Sequence, residues 1–378
     1  MPDVLVYADS MRSPELRHEV PLPVPDPFLY VEHDGERHAV VTAFEIDRID
    51  ALGIGVKTHP LEEFGYDELL AEGRSRDEVE REVALRACRS LGVVEPAVPS
   101  TFPLELADFL RSEGVALTPD RGLFEARRRV KNEFELAGIR RAQRGCEAAL
   151  AAACELLRRA EASNGVLSVD GEPLTCERLK LVVEGVFGEH GLSAEEFVVS
   201  HGAQTAIGHE MGSGPIAPNE PIVFDLFPRD RESGCYADMT RTFAVGTPDD
   251  ELVRYRELCR EALDRSLAAI RPGVAGRELH RLVCDFFHEH GLPTQLSKQP
   301  GEVLSEGFYH GLGHGVGLEV HEKPALGRGS DELVAGDVVA VEPGLYRQGF
   351  GGCRLEDLVL VTEHGAENLT DYPYELEP

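Results

Sequence analysis

Residues 221–243, PIVFDLFPRDRESGCYADMTRTF, decide how the rest of the chain is read. Residues 222–227 form a short apolar run, residues 228–234 are polar and turn-rich, and residues 235–243 return as a second run, so the stretch reads as a β-hairpin. Asp225 and Asp238 each interrupt an otherwise apolar strand. A buried ionised carboxylate is costly unless it is paired or coordinates a metal, so both positions call for a neutralising partner.

A second stretch of the same design lies toward the C-terminus. Residues 337–346, DVVAVEPGLY, and 352–362, GCRLEDLVLVT, flank a glycine-rich loop and place Glu342 on the first strand and Glu356 on the second. Asp225 and Asp238 stand 13 residues apart, Glu342 and Glu356 14 apart. Two hairpins of similar span, each with a carboxylate per strand, point to a duplicated unit whose halves face one site. Between them, residues 309–322, YHGLGHGVGLEVHE, carry His310, His314 and His321. Asp225, Asp238, Glu342, Glu356 and one histidine make a ligand set for two oxygen-preferring divalent ions.

The competing reading is four unrelated turn or surface acids. Strand residues flank each of them, as in AVEPG and RLEDLV, which weighs against it. His314 alone would read as a turn histidine supported by glycines; four waiting carboxylates make it a ligand instead. His209, His310 and His321 read either as groups that hydrogen-bond a carbonyl and its developing charge or as ordinary surface or core histidines. Arg354 lies two residues before Glu356 on the same strand face, placed to orient a carboxylate, to bind substrate or to balance charge. His201, His280, His288, His290 and His364 have no such context and read as structural.

Composition narrows the classes. The chain has 378 residues, 42% of them hydrophobic, enough for one large domain or two ordinary ones. Its 68 acidic and 38 basic residues give a net charge of −30, which repels nucleic acid and anionic membranes, so neither is an expected partner. No stretch approaches the ~20 apolar residues of a membrane span, and the start, MPDVLVYADS, has no basic segment followed by a long apolar one. A cytoplasmic location is the expectation. Eight cysteines without a CxxC pair argue against a zinc knuckle or redox motif and read as buried thiols.

In order, residues 1–122 read as a smaller α/β domain, with a hairpin over 27–46 turning at Asp34-Gly35 and helices over 77–91 and 104–113. The Pro-Asp-Arg-Gly turn in residues 117–123 marks the boundary. A long helical pattern runs over 124–161, a second over 176–190, and a glycine-containing segment over 201–216 leads into the first hairpin. After it, Thr247-Pro248-Asp249-Asp250 is a helix start, with Thr247 as the capping hydroxyl and helices over 247–270 and 275–290. The order helix, helix, hairpin thus occurs twice.

FDLF and YADMTRTF, YHGLGHGVGLEVHE, AVEPGLY and RLEDLVLV resemble the motifs of the pita-bread metallopeptidases, and specifically the Xaa-Pro peptidases, prolidase and aminopeptidase P. Lys131 and Glu135 in RRVKNEFELAGIRRA resemble the helix that opens that family's catalytic domain. The likeness runs from about residue 125 to the end; residues 1–122 resemble the family's creatinase-like domain only in length and order. It implies an α+β fold: a pita-bread catalytic domain over 123–378 with an internal pseudo-twofold repeat, preceded by the smaller α/β domain.

The same resemblance implies that Asp225 chelates one ion, that Asp238 and Glu356 bridge both, and that His314 and Glu342 complete the second. It places His209, His310 and His321 among substrate-binding and proton-handling groups, Arg354 as a support, and Glu342 as the proton relay. The implied protein is a homodimeric exopeptidase that hydrolyses the Xaa-Pro bond of dipeptides or peptide N-termini through a metal-bridging hydroxide. Its substrate is a proline-containing peptide, and its cofactors are two divalent ions, manganese first, with cobalt, zinc or iron as alternatives. The rivals are a methionine-type aminopeptidase, against which residues 1–122 weigh; a relative acting on a small molecule as a lyase or amidinohydrolase; and a binding module, which would have lost ligands. The chain departs from the family in the first hairpin, where Leu226-Phe227-Pro228 and a longer loop replace a glycine and a shorter one.

Overall fold

The computed structural model describes residues 2–329 and 331–378, and the chain divides into two compact units, Met1–Arg128 and Arg129–Pro378. The first unit is built on a six-stranded mixed sheet. Phe28–His33 pairs antiparallel with Glu36–Val41, and Asp34 (φ 50°) and Gly35 (φ 79°) supply the two left-handed residues that a tight hairpin turn needs. The hairpin stops earlier than residue 46, because Ala43–Asp50 is helical. Period-two alternation splits the sheet's apolar residues: Leu5, Leu29 and Val31 pack with Val79, Val83 and Leu110 of helices Arg76–Leu91 and Leu104–Ser112, while Val4, Val6 and Tyr30 pack with Leu16 and Ile49.

The second unit repeats one order of elements twice. Helices Glu133–Arg158 and Cys176–Glu189 precede the hairpin Ile222–Leu226 and Met239–Phe243; helices Asp250–Ala269 and Gly276–Glu289 precede Val338–Val341 and Asp357–Val361. The single helix expected from residue 124 is broken. Asn132 Oδ1 accepts from Glu135 N, and the Glu135 carboxylate accepts from Asn132 N, a capping box that starts a fresh helix at Glu133. Similarly, the helix expected from Thr247 is capped by Asp249, whose carboxylate accepts from Glu251 N at 2.8 Å.

Strand Val338–Val341 lies between two apolar clusters. Val338 and Ala340 belong to the one built on the first helix pair, Val339 and Val341 to the one built on the second. All eight cysteines are buried and free.

The first hairpin is interrupted at Asp238 and the second at Glu342 and Glu356, whereas Asp225 lies inside strand Ile222–Leu226, opposite Thr240. The return strand of the first begins at Met239 rather than Cys235, because Tyr236 N donates to Gly317 O (2.8 Å) and Ala237 N to Pro228 O (3.0 Å). The second ribbon splits into two ladders, Val338–Val341 with Asp357–Val361 and Gly344–Arg347 with Gly351–Arg354. Glu342-Pro343 and Leu355-Glu356 fall in the gap. Pro343 has no N–H to give to a ladder. Glu342 N instead donates to Leu312 O (2.8 Å) and Glu356 N to Thr240 O (3.0 Å). The glutamates therefore occupy bends, not strand interiors.

The hairpins are tied together along this seam. Thr242 Oγ1 donates to Arg354 O at 2.9 Å and accepts from Arg354 N at 3.0 Å. Arg241, 1% exposed, donates to the carbonyls of Glu356 (2.7 Å), Tyr372 (2.9 Å) and Pro373 (2.7 Å) and to the Asp357 carboxylate (2.9 Å). Its guanidinium lies 4.3 Å from the centre of the Tyr374 ring.

Candidate metal centre

The two bends and the three-histidine segment open onto one cavity of about 470 Å³. Asp225, Asp238, His314, Glu342 and Glu356 all line it, as do His209, His310, His321 and Arg354. Every site residue expected from the sequence is thus brought to the same place. Asp238, His314 and Glu356 each offer a ligand atom within 4.8 Å of the others. His314 Nε2 lies 3.7 Å from Asp238 Oδ2 and 3.9 Å from Glu342 Oε1. Its Nδ1–H donates to Gly315 O at 3.1 Å, which leaves the Nε2 lone pair facing the carboxylates, the tautomer a metal ligand needs.

The electrostatics of the cluster call for cations. Burial, then the neighbouring carboxylates, pushes the proton affinity of Asp238 and Glu356 well up. Burial raises Glu342 to about 7 against the pull of Arg354. Burial, reinforced by His321, lowers His314 to about 4, so its imidazole is neutral near pH 7 and free to ligate. Carboxylates this close repel one another unless a positive charge lies between them. A bound divalent ion reverses that logic and holds all of them ionised. The donor set of carboxylates plus one neutral imidazole fits divalent ions of intermediate hardness.

Around the cluster the histidines differ. His310 Nδ1–H donates to Gly311 O (2.7 Å), and its Nε2 accepts from the Tyr346 hydroxyl (2.8 Å), so both ring nitrogens are engaged within the protein. Burial, then Arg354, lowers its pKa to about 3. His321 meets the His314 ring edge-on at 4.1 Å between centres. Arg354 forks three ways: to Asp225 Oδ2 (2.5 Å), to the Tyr346 hydroxyl (3.0 Å) and to Thr240 Oγ1 (3.2 Å).

Thr240 and Tyr346 have no place in the sequence reading, yet they connect these groups. Thr240 did leave a signal, standing two residues beyond Asp238 and so on the same side of an extended strand. Tyr346 left none beyond its nearness to Glu342. Lys131 forms a buried ion pair with Glu322, the residue after His321. A Cβ at Gly317 would come within 2.6 Å of the Glu322 carboxylate and 2.8 Å of Lys131 Cε, so that position has room only for glycine.

The profile of Metallopeptidase family M24 matches residues 137–363. The chain is 31% identical over 291 residues to a probable dipeptidase PepE of Mycobacterium tuberculosis, covering 75% of this chain and 68% of that protein. It is 28% identical over 297 residues to an Xaa-Pro dipeptidase of Pyrococcus horikoshii, covering 78% and 76%. Among solved structures, an Xaa-Pro dipeptidase from Bacillus anthracis superposes with a TM-score of 0.78 at 23% identity, covering 99% of this chain and 94% of that one. The fold is the α+β pita-bread fold with its internal repeat.

Proposed function

The chain belongs to metallopeptidase family M24, and we propose that it is a metal-dependent Xaa-Pro peptidase that releases the residue before proline from dipeptides or peptide N-termini. The observation that carries this is the convergence of two buried carboxylates, two half-buried ones and a correctly tautomeric imidazole on one cavity. Asp225, Asp238, His314, Glu342 and Glu356 would hold two divalent ions, manganese first, with cobalt, zinc or iron as alternatives. When bound, such ions lower the pKa of a water molecule and polarise the scissile carbonyl.

The chain's own groups then have separable tasks. Glu342, whose site raises its proton affinity, accepts the proton of the attacking water and passes it to the leaving nitrogen. His321 and His209 face the cavity and donate to the carbonyl oxygen as charge develops on it. Arg354 fixes the Asp225 carboxylate, and His310, engaged by Tyr346 and Gly311, buttresses that fork. An Xaa-Pro amide has no N–H, so the cavity need not supply an acceptor for it. In this reading residues 123–378 carry the chemistry, preceded by the 1–122 domain, and the protein works as a cytoplasmic homodimer. The family resemblance supports the dimer.

The test is hydrolysis of Xaa-Pro dipeptides, Xaa-Pro-Yaa tripeptides and Met-Ala peptides by metal-loaded protein, with chelator controls. Chelator-sensitive cleavage confined to Xaa-Pro bonds is expected, and the length preference names the subclass. Cleavage of Met-Ala alone would assign a methionine-type enzyme. No cleavage with metal bound would point to the small-molecule lyase or amidinohydrolase.

A further inference from the structure

Phe227 and Val320 stand between the catalytic cavity and a neighbouring one. Both residues line the first, and both also line the second, an open chamber of about 380 Å³. The floor of that chamber is the part of the first hairpin that departs from the family pattern. Arg229–Asp230 pairs antiparallel with Leu192–Ser193, Ser193 opposite Arg229. Asp230 is anchored by Arg141 at 2.8 Å and by the Ser233 amide and hydroxyl at 2.8 and 2.6 Å. Helix Glu133–Arg158 packs so closely on this loop that a Cβ at Gly138 would lie 1.9 Å from Ser233 Oγ. The chamber is therefore a fixed structure, not a loose surface loop.

Its walls are of two kinds. Phe227, Val320 and Tyr236 form an apolar neck, and Glu195 and Glu196, both exposed, stand at the outer rim. Arg229 is the opposing charge, and it is tied down: its Nε donates to Gly234 O at 2.9 Å, and its guanidinium lies 5.9 Å from the centre of the Tyr236 ring. Burial raises the Tyr236 pKa; Arg229 pulls it down, and Glu195 and Glu319 push it up.

In an Xaa-Pro substrate the proline side chain is closed onto its own nitrogen, so only the side chain of Xaa varies and can leave the catalytic cavity. We infer that the chamber beyond Phe227 and Val320 is the pocket for that side chain, and that it selects a long cationic one, lysine or arginine. The apolar stem lies along Phe227, Val320 and Tyr236, and the charged end reaches Glu195 and Glu196. Lysine and arginine have this division between apolar stem and charged head. A short side chain leaves the neck unfilled. An acidic one meets two carboxylates, Glu195 and Glu196, against one tethered guanidinium. The inference rests on the Xaa-Pro reading above and adds the class of substrate to it.

The test compares kcat/KM of the metal-loaded protein for Lys-Pro, norleucyl-Pro and Glu-Pro, because norleucine keeps the lysine stem without its charge. Lys-Pro is expected to exceed norleucyl-Pro by about fivefold, the effect of a favourable exposed charge pair. The ratio should fall toward one in a Glu195→Gln, Glu196→Gln double variant and at ~1 M salt, where charges are screened within about 3 Å. A Lys-Pro to norleucyl-Pro ratio of one or less in the wild type, a preference for Glu-Pro, or a ratio unmoved by the double variant overturns the inference and leaves the Xaa-Pro reading standing. Failure to cleave any of the three with metal bound overturns both.

Discussion

The Thr240 hydroxyl donates to Glu356 Oε2 at 2.6 Å and accepts from Arg354 Nε at 3.2 Å, so a side chain of the first hairpin orients a carboxylate of the second. Thr240→Val keeps the shape and removes the donor. Groups that orient metal ligands typically contribute about 10- to 100-fold in metal affinity, and a buried acceptor left unpaired costs about 1–3 kcal/mol. Calorimetric titration of chelator-treated protein with Mn²⁺ should show that loss of affinity in the variant. Unchanged affinity would remove Thr240 from any role at the centre.

Metal removal should destabilise the protein by exposing the repulsion among Asp238, Glu342 and Glu356. At a free ion concentration about 100 times Kd, binding contributes about 2.7 kcal/mol, or roughly 5–10 °C in Tm for a unit of this size. Asp238→Ala should abolish hydrolysis and most of that shift. The stripped variant should melt no lower than the stripped wild type, because one of the repelling carboxylates is gone. Calorimetry with and without Mn²⁺ checks this; a stripped variant that melts several degrees lower would mean that Asp238 stabilises the metal-free fold.

His201 makes stability depend on pH. Its Nδ1 faces the Glu220 carboxylate and its Nε2 the Ser213 carbonyl, 3.1 Å away. Two acceptors require two N–H groups, so the imidazolium is the favoured form. The hydrogen bond with Glu220 raises its pKa above the ordinary 6.5 against the effect of burial. A folded-state pKa above the unfolded one gives stabilisation that is complete below pH ~6.5 and lost as pH rises through the raised value. Melting temperatures of wild type and His201→Gln, measured from pH 5 to 9, should therefore converge as pH rises. A gap that is constant across this range would assign the effect to packing.

The Lys131 and Glu322 side chains are each 2% exposed. Removing one partner of such a pair leaves an uncompensated buried charge and typically costs about 3–5 kcal/mol, whereas replacing both with apolar residues is often near neutral. Lys131→Met should lower the urea midpoint strongly, and adding Glu322→Leu should restore most of it. A double variant as weak as the single one would show that Lys131 acts through some other contact.

How much of this was legible depended on how local the signal was. Asp225 and Glu342 stood out because a charge inside an apolar run needs only its neighbours to be noticed. The repeated helix pairs were readable for the same reason. The bends at Glu342 and Glu356 were not, since they depend on the carbonyls of Leu312 and Thr240, far away in sequence. His310 lines the cavity as expected, but nothing near it in the sequence announces Tyr346, 36 residues on, as the partner of its Nε2. The helix break before Glu133 did leave a signal, Asn132 followed three residues later by Glu135, which the helical pattern on both sides outweighed. Thr240 is an ordinary strand residue until Glu356 is brought beside it.

Arg241 gives the C-terminal residues an unexpected place in the site. Its guanidinium is shared between the strand that carries Glu356 and residues 372–374. Cutting the chain before Tyr372 would strand a buried cation against the metal-binding ribbon. Two sites coupled in this way act on each other equally. Digestion of the tail by a carboxypeptidase should weaken metal binding, and bound metal should in turn slow the digestion, so the rate at which the last residues are trimmed becomes a reporter of whether the centre is filled.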